Sequence, residues 1–167
     1  MASKRASRVA LTSHNHVVRE ATGREREGSS SSARRNVALL FLAGFLLHNA
    51  DHFRRGLDVI PPAAFWAGTL SGIISLAAIA AVLIYAGRLA APLAAVVGFG
   101  MAIGVSTVHL LPTWGPFSDS LPDGGVDAVT WSAVLCEIAG AFAFGWVGLR
   151  AWRGRQHQQG DLRRGSP

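Results

Sequence analysis

The sequence lacks most of the short motifs that indicate a protein's chemistry. It has no Gly-x-Ser-x-Gly nucleophile motif, no phosphate-binding loop and no Gly-x-Gly-x-x-Gly dinucleotide motif. It has a single cysteine, Cys136, so no internal disulfide can form and cysteine content does not indicate a compartment. These absences exclude the common signatures of serine hydrolases, nucleotide hydrolases and dinucleotide-dependent enzymes.

Charge is also scarce, and it is unevenly distributed. Only 16% of the residues are charged, whereas 50% are hydrophobic, and the hydrophobic residues fill four blocks between residues 37 and 152. The formal net charge of +6 is a property that nucleic-acid-binding proteins share. Here the basic residues lie in the tails and turns that flank the apolar blocks, which is typical of membrane proteins. The predicted partner is therefore a lipid bilayer and not nucleic acid.

The four apolar blocks predict an all-α fold, a four-helix transmembrane bundle with disordered N- and C-terminal tails. The second block contains 23 residues without a charge, long enough to cross a hydrocarbon core of about 30 Å. Polar composition predicts a disordered basic tail at 1–35 and a second disordered tail at 153–167. Between the tails, residues 36–152 form the predicted membrane domain. Its predicted spans are residues 37–53, 63–85, 89–111 and 128–152.

The first block is the weakest span. Its uninterrupted apolar part, residues 37–47, makes only about 16 Å of helix. It crosses the bilayer only if the polar residues that follow lie inside the helix near its far end. There, partners on other helices can offset the free energy of placing ionisable groups in a membrane.

The distribution of Lys and Arg predicts the topology. Eight of these residues precede residue 36, one lies in the turn at 86–91, and five lie at 150–164. Only two lie in the loop at 54–62, and none lies in the loop at 112–127. The positive-inside rule therefore places both termini and the turn at 86–91 in the cytoplasm.

One group of polar residues interrupts the apolar blocks. His48, Asp51 and His52 have the spacing i, i+3, i+4, which places them on one face of a helix. The predicted topology places His109 and Glu137 at a similar depth in the outer half of the bilayer, and such groups generally face the interior of a bundle. Imidazole and carboxylate are ligands of zinc and other transition metals. The predicted metal-site residues are His48, Asp51, His52, His109 and Glu137.

Four other interpretations of this cluster stay open. The cluster could be purely structural and join the helices through hydrogen bonds. Two of its histidines could hold a haem, and Glu137 with neighbouring histidines could form a proton or ion path. Glu137 or Asp51 could also act as the general base of a metal-dependent intramembrane hydrolase. No enzyme activity follows from the sequence.

Three short segments of this sequence resemble segments of other membrane proteins. They are His-Asn-Ala-Asp-His at the end of the first block, Val-His-Leu-Leu-Pro at the end of the third and Cys-Glu-Ile-Ala-Gly in the fourth. In this layout, residues 36–152 resemble small bacterial four-span membrane proteins to which no activity is attached. The motifs Gly68-x-x-x-Gly72, Gly100-x-x-x-Gly104 and Ala141-x-x-x-Gly145 further predict close helix packing. A homo-oligomer formed through such a face is a further expectation.

Overall fold

The computed structural model describes residues 32–85 and 87–164, and all regular structure within them is helical. The predicted all-α class is therefore confirmed. The helices are α1, residues 32–55; α2, Pro62–Ala80, continued by a π-helical turn, Ala81–Tyr85; α3, Ala90–His109; a short α4, Leu121–Gly124; and α5, Ala128–Arg164. A 3₁₀ turn, Leu57–Val59, lies between α1 and α2.

The local sequence explains where several helices begin. Pro62 occupies the first position of α2, where its missing N–H has no intrahelical partner to lose. Asp127 caps α5, because one of its carboxylate oxygens accepts a hydrogen bond from the backbone N–H of Thr130 at 3.0 Å. Gly125, with φ of 58°, allows the left-handed turn between α4 and α5.

Three helices are long and apolar enough to cross a membrane. They are Pro62–Tyr85, Ala90–His109 and Ala128–His157, and they match the second, third and fourth predicted spans. The chain thus has the helices of a multi-pass membrane protein. Helix α1 is not among the three, since its apolar run ends at His48.

The structure describes little of the predicted N-terminal tail and most of the predicted C-terminal tail. Residues 1–31 of the predicted N-terminal tail lie outside the described residues, and α1 begins at residue 32. Helix α5 continues beyond residue 152 to Arg164, where the polar composition predicts disorder. No proline occurs between Trp152 and Pro167, and Arg and Gln are good helix formers. The helix therefore has no local reason to end at the last apolar residue.

Glycines bring α1 and α3 into close contact with α5. A methyl group added to Gly98 of α3 would lie 2.4 Å from the backbone nitrogen of Gly145 in α5. A methyl group added to Gly44 of α1 would lie 2.8 Å from the Cα atom of Glu137. Neither crossing leaves room for a side chain, so the helix backbones themselves are in contact.

Most glycines of the motifs in α2 and α3 do not lie in such helix contacts. Methyl groups added to Gly68, Gly100 or Gly104 would meet no atom within 4 Å. Only Gly72 lies against a neighbour, the ring of Phe45. The prediction that the small-residue motifs pack helices within the chain is therefore wrong for Gly68, Gly100 and Gly104. It is confirmed for Gly72 and for Ala141-x-x-x-Gly145 of α5, since Gly98 of α3 lies against both Ala141 and Gly145.

One half of the helix assembly is a purely apolar core. Phe41 of α1 packs against Phe144 of α5 with ring centroids 5.5 Å apart. Small side chains from α2 and α3 fill the space around the two rings. The buried members of this core are Ala38, Phe41, Ala78, Ile79, Ala94, Val97, Ala102, Ala141 and Phe144. The polar residues lie at the other end of the helices, where α1 and α3 end and α2 and α5 begin.

The α3–α5 contact can be tested with a matched pair of substitutions on one helix. We expect Gly98→Ala to destabilise the protein by about 1–3 kcal/mol, because its methyl group would overlap α5. Gly100→Ala adds the same methyl group to open space, so it should be neutral or stabilise by up to about 1 kcal/mol through helix propensity. Melting temperatures in detergent measure both effects. Equal melting temperatures for the two variants would contradict the packing.

Candidate metal centre

Three histidines from two helices meet at the polar end of the molecule. His48 and His52 lie one turn apart on α1, and His109 is the last residue of α3. The ring centroids are 4.5 Å apart for His48 and His52, and 4.7 Å apart for His48 and His109. One ring nitrogen from each histidine lies within 4.8 Å of those of the other two. The structure thus assembles a three-imidazole cluster from residues 61 positions apart.

Glu137 supports this cluster from α5. Its carboxylate is 2% exposed and contacts Nδ1 of His48. An ionised carboxylate only accepts hydrogen bonds, so with Glu137 ionised His48 carries its proton on Nδ1. The lone pair of a neutral His48 is then on Nε2. That buried nitrogen has no hydrogen-bond partner in the described part of the chain.

His109 is oriented in the same way by a backbone group. Its Nδ1 lies 3.0 Å from the backbone oxygen of Asp119. A carbonyl oxygen cannot donate, so Nδ1 must be the donor and Nε2 carries the lone pair of the neutral ring. Two of the three histidines therefore have Nδ1 engaged and Nε2 free as a ligand.

His52 differs from the other two because its Nδ1 faces a donor. The guanidinium of Arg55 donates to this nitrogen at 2.9 Å, which places the proton of a neutral His52 on Nε2. The same guanidinium group donates to the carboxylate of Asp119 at 2.9 Å. His52 can offer a lone pair to the cluster if Arg55 releases Nδ1 and keeps its bond to Asp119.

Asp51 lies beside the cluster but is engaged elsewhere. It is 3% exposed and accepts a hydrogen bond from Nε of Arg54 at 2.8 Å. Its other oxygen lies 3.3 Å from Nε of Arg55. The structure therefore places this carboxylate as a counter-ion for two arginines, while Glu137 contacts a histidine.

The two arginines organise a polar rim around the cluster. Arg54 donates two hydrogen bonds of 2.9 Å to Asp127 and one of 3.0 Å to Thr130, and so joins α1 to the start of α5. Arg55 joins α1 to the loop after α3 through Asp119. We call this the rim cluster; its members are Asp51, Arg54, Arg55, Asp119 and Asp127.

Sequence reasoning identified the histidines but not the rim cluster. It interpreted Arg54 and Arg55 only as markers of the membrane interface. A usable signal was present, because both arginines follow Asp51 at i+3 and i+4, the spacing of helical ion pairs. The partners Asp119 and Asp127 lie 64 and 73 residues away from them, and no local pattern indicates such contacts.

A cavity of about 660 Å³ borders the histidines. His48, His52 and His109 line one end of it together with Glu137 and Asp119. The rest of the lining is mostly apolar and comes from α1, α2 and α3. A small molecule can therefore reach the cluster from one side, while the other sides are covered by helices and by the loop that carries Asp119.

Comparison with known proteins does not extend these observations: the chain matches no family model, no curated protein and no solved structure.

The rim cluster predicts a dependence of stability on pH. Hydrogen bonds from the backbone of Thr130 and from Arg54 hold the pKa of Asp127 below its usual value of 3.8. Because the folded-state pKa is lowered, this stabilisation is present above about pH 4 and is lost as the pH falls through the folded-state value. We expect Asp127→Asn, which still caps α5, to melt below wild type at pH 7. The difference should close below about pH 4, and an unchanged difference at pH 3 would contradict the ionic contribution.

Proposed function

We propose that the chain is a four-span protein of a bacterial cytoplasmic membrane that binds one transition-metal ion, zinc in the first instance. The ligands are His48, His52 and His109. The proposal is carried by one observation, the three ring nitrogens within 4.8 Å of one another. Zinc–nitrogen bonds of about 2.0–2.1 Å place tetrahedral ligands about 3.4 Å apart. Small rotations of the rings close the remaining distance.

The chemistry of the cluster favours zinc over harder cations. Three neutral imidazoles suit zinc, copper, iron and nickel, whereas magnesium and calcium prefer oxygen ligands. Glu137 and the backbone oxygen of Asp119 accept from the Nδ1 atoms of His48 and His109. Such outer hydrogen bonds orient metal-bound histidines and increase their basicity. Glu137 thus acts as a hydrogen-bond acceptor behind the ligand His48 and not as a ligand itself.

The surroundings of the cluster argue against the haem and transport alternatives. Axial histidines bind haem iron from opposite faces of the porphyrin, but here the rings of His48 and His109 pack edge to face at 4.7 Å. A proton path would need polar groups through both halves of the helix assembly. The half away from the histidines is filled by apolar side chains around Phe41 and Phe144.

A metal-dependent hydrolase is a second candidate function, favoured by the cavity. Three protein ligands leave the fourth position of zinc open, and a water bound there is activated. Glu137 and Asp51 are both engaged by other side chains. The carboxylate of Asp119 lines the cavity and lies 3.5 Å from His109 and 3.9 Å from His52. In this candidate Asp119 joins Glu137 and Asp51 as a candidate general base, and each of the three carboxylates would have to leave a present side-chain partner, Arg55 in the case of Asp119.

Helix α1 completes the membrane domain as its first span. Its polar side chains are turned inward, with His48 5% exposed. Between residues 37 and 53 its exposed side chains are all apolar, so lipid meets no charged group along this part of the helix. The exposed large apolar residues of α1 are Leu39, Leu40, Leu46, Leu47 and Phe53. The surplus of Lys and Arg then places both termini in the cytoplasm.

Metal analysis of the purified protein tests the binding site. We expect about one zinc per chain in detergent, and His48→Ala or His109→Ala should weaken zinc binding by more than about 100-fold. Glu137→Gln should weaken it less, by about 10- to 100-fold, because it changes only an outer hydrogen bond. His157→Ala, on the distant end of α5, is the matched control and should bind normally. Cobalt substitution followed by absorption spectroscopy reports the same sites.

Two results would contradict the metal site. One is a wild-type protein that takes up no zinc or cobalt after reconstitution, and the other is equal uptake by wild type and His109→Ala. A melting temperature that falls in His109→Ala without any metal in wild type would favour the purely structural interpretation. Bound metal should also be released by acid, because metal-binding histidines must be neutral.

Cysteine labelling of spheroplasts tests the four-span topology. In a Cys136→Ser background, Gly115→Cys should react with a membrane-impermeant maleimide, whereas Gly154→Cys should react only after lysis. Both glycines border open space, so the substitutions should not disturb packing. Ser3→Cys tests α1 itself, because its protection requires α1 to cross the membrane. Labelling of Ser3→Cys in intact spheroplasts would contradict the first span.

A further inference from the structure

The cavity beside the histidines continues as a groove between α2 and α3. Near the turn that connects them, these helices share the apolar core through residues such as Ile79 and Val97. Farther from that turn, Gly68 on α2 and Gly100 and Gly104 on α3 line the cavity. A methyl group added to any of the three would meet no atom within 4 Å. The two helices therefore leave a gap that no side chain fills.

The groove is polar at one end only. His48, His52 and His109 form that end. The remainder is lined mostly by glycine, alanine, phenylalanine and aliphatic side chains such as Ile74, Val96 and Met101. The hydroxyls of Thr69 and Ser71 also lie there, and both donate to backbone oxygens of their own helix. A ligand that matches this surface has one polar group and a long apolar part.

The position of the groove determines which ligands can reach it. Gly104 and Gly100 precede His109 by five and nine residues, so they lie about 7.5 and 13.5 Å below it along α3. Val96, 71% exposed, lies at the far end of the groove. In the proposed topology the part of the groove from Gly100 to His109 therefore lies in the outer half of a hydrocarbon core of about 30 Å, where it meets acyl chains and not water, and Val96 lies just past the midplane.

The dimensions favour a hydrocarbon chain over a helix. Along α3 the groove extends from Val96 to His109, about 20 Å by helix rise. A volume of about 660 Å³ open to the centres of water-sized atoms over that length corresponds to a mean width of about 6.5 Å for those centres, or about 9 Å between the walls with a water radius of about 1.4 Å added on each side. A helix with its side chains is about 10–12 Å across. A polymethylene chain, with carbon contacts of about 4 Å, fits within this width.

We infer that the groove binds one acyl chain of a phospholipid from the outer leaflet and places the ester group of that lipid beside the histidines. The inference rests on the membrane insertion proposed above. It identifies the lipid bilayer as the source of the ligand for the histidine site, in addition to its role as the solvent of the helices.

Photo-crosslinking in vesicles tests the inference. The full-length, zinc-loaded protein is reconstituted into phosphatidylglycerol vesicles that contain phosphatidylglycerol with a diazirine on one acyl chain. After illumination, mass spectrometry should locate the lipid on peptides that contain groove residues such as Ile74 and Met101. In Gly104→Leu the added side chain occupies the groove, so this labelling should fall at least five-fold. Gly154→Leu makes the same change at open space on α5, outside the groove, and should label as wild type does.

The outcomes separate this inference from the proposed metal site. Labelling of the groove that is unchanged in Gly104→Leu overturns the inference, as does labelling confined to outward residues such as Leu39. Crosslinked dimers joined through the groove would assign it to a second copy of the chain and also overturn it. Zinc content is measured on the same samples, and Gly104→Leu should keep its zinc. A wild type that labels in the groove but binds no zinc would remove the metal site and leave the lipid site standing.

Discussion

The contact between Glu137 and His48 is the constraint on which the rest of the structure depends. A carboxylate in the middle of an apolar helix cannot face lipid without a large cost in free energy, so α5 must turn it toward a partner. His48 reaches it only because Gly44, one turn earlier, lets the backbone of α1 lie against residues 136 and 137. The close crossing of α1 and α5 and the buried contact between His48 and Glu137 are therefore one feature, and that feature also turns His48 so that Nε2 is free.

The polar end of the molecule is stabilised mainly at its perimeter. Arg54 and Arg55 link α1 to the start of α5 and to the loop after α3, and they neutralise Asp51, which is buried between the cluster and the rim. The bond from Arg55 to Asp119 helps keep His52 and His109 close together, because the backbone oxygen of Asp119 also accepts from His109. The opposite half of the assembly needs no polar contacts, because small and aromatic side chains fill it.

Sequence reasoning recovered the features that depend on composition and helix rise. The all-α class, three membrane-length helices and the similar depth of His109 and Glu137 follow from apolar run length and a rise of about 1.5 Å per residue. Features that depend on which face of a helix a residue occupies were less predictable. Asp51 lies only about 100° round the helix from His52, and that rotation decides whether it meets arginines or histidines. Gly68, Gly100 and Gly104 were misassigned for the same reason, since motif spacing does not say which face meets a neighbour, whereas Ala141-x-x-x-Gly145 does lie in a helix contact. The helical extension of α5 to Arg164 was missed because polarity was equated with disorder.

Helix α2 is attached to the rest of the molecule far less extensively than its neighbours. Only 22% of its apolar window is buried, against 44% for α3 and for α5. It takes no part in the rim cluster, and its last turn is π-helical, a backbone form with weaker constraints than a regular helix. Local displacement costs least where few contacts are lost. The helices are therefore held unequally. Helices α1, α3 and α5 make the most extensive contacts with one another, and α2 is the helix whose displacement loses the fewest contacts.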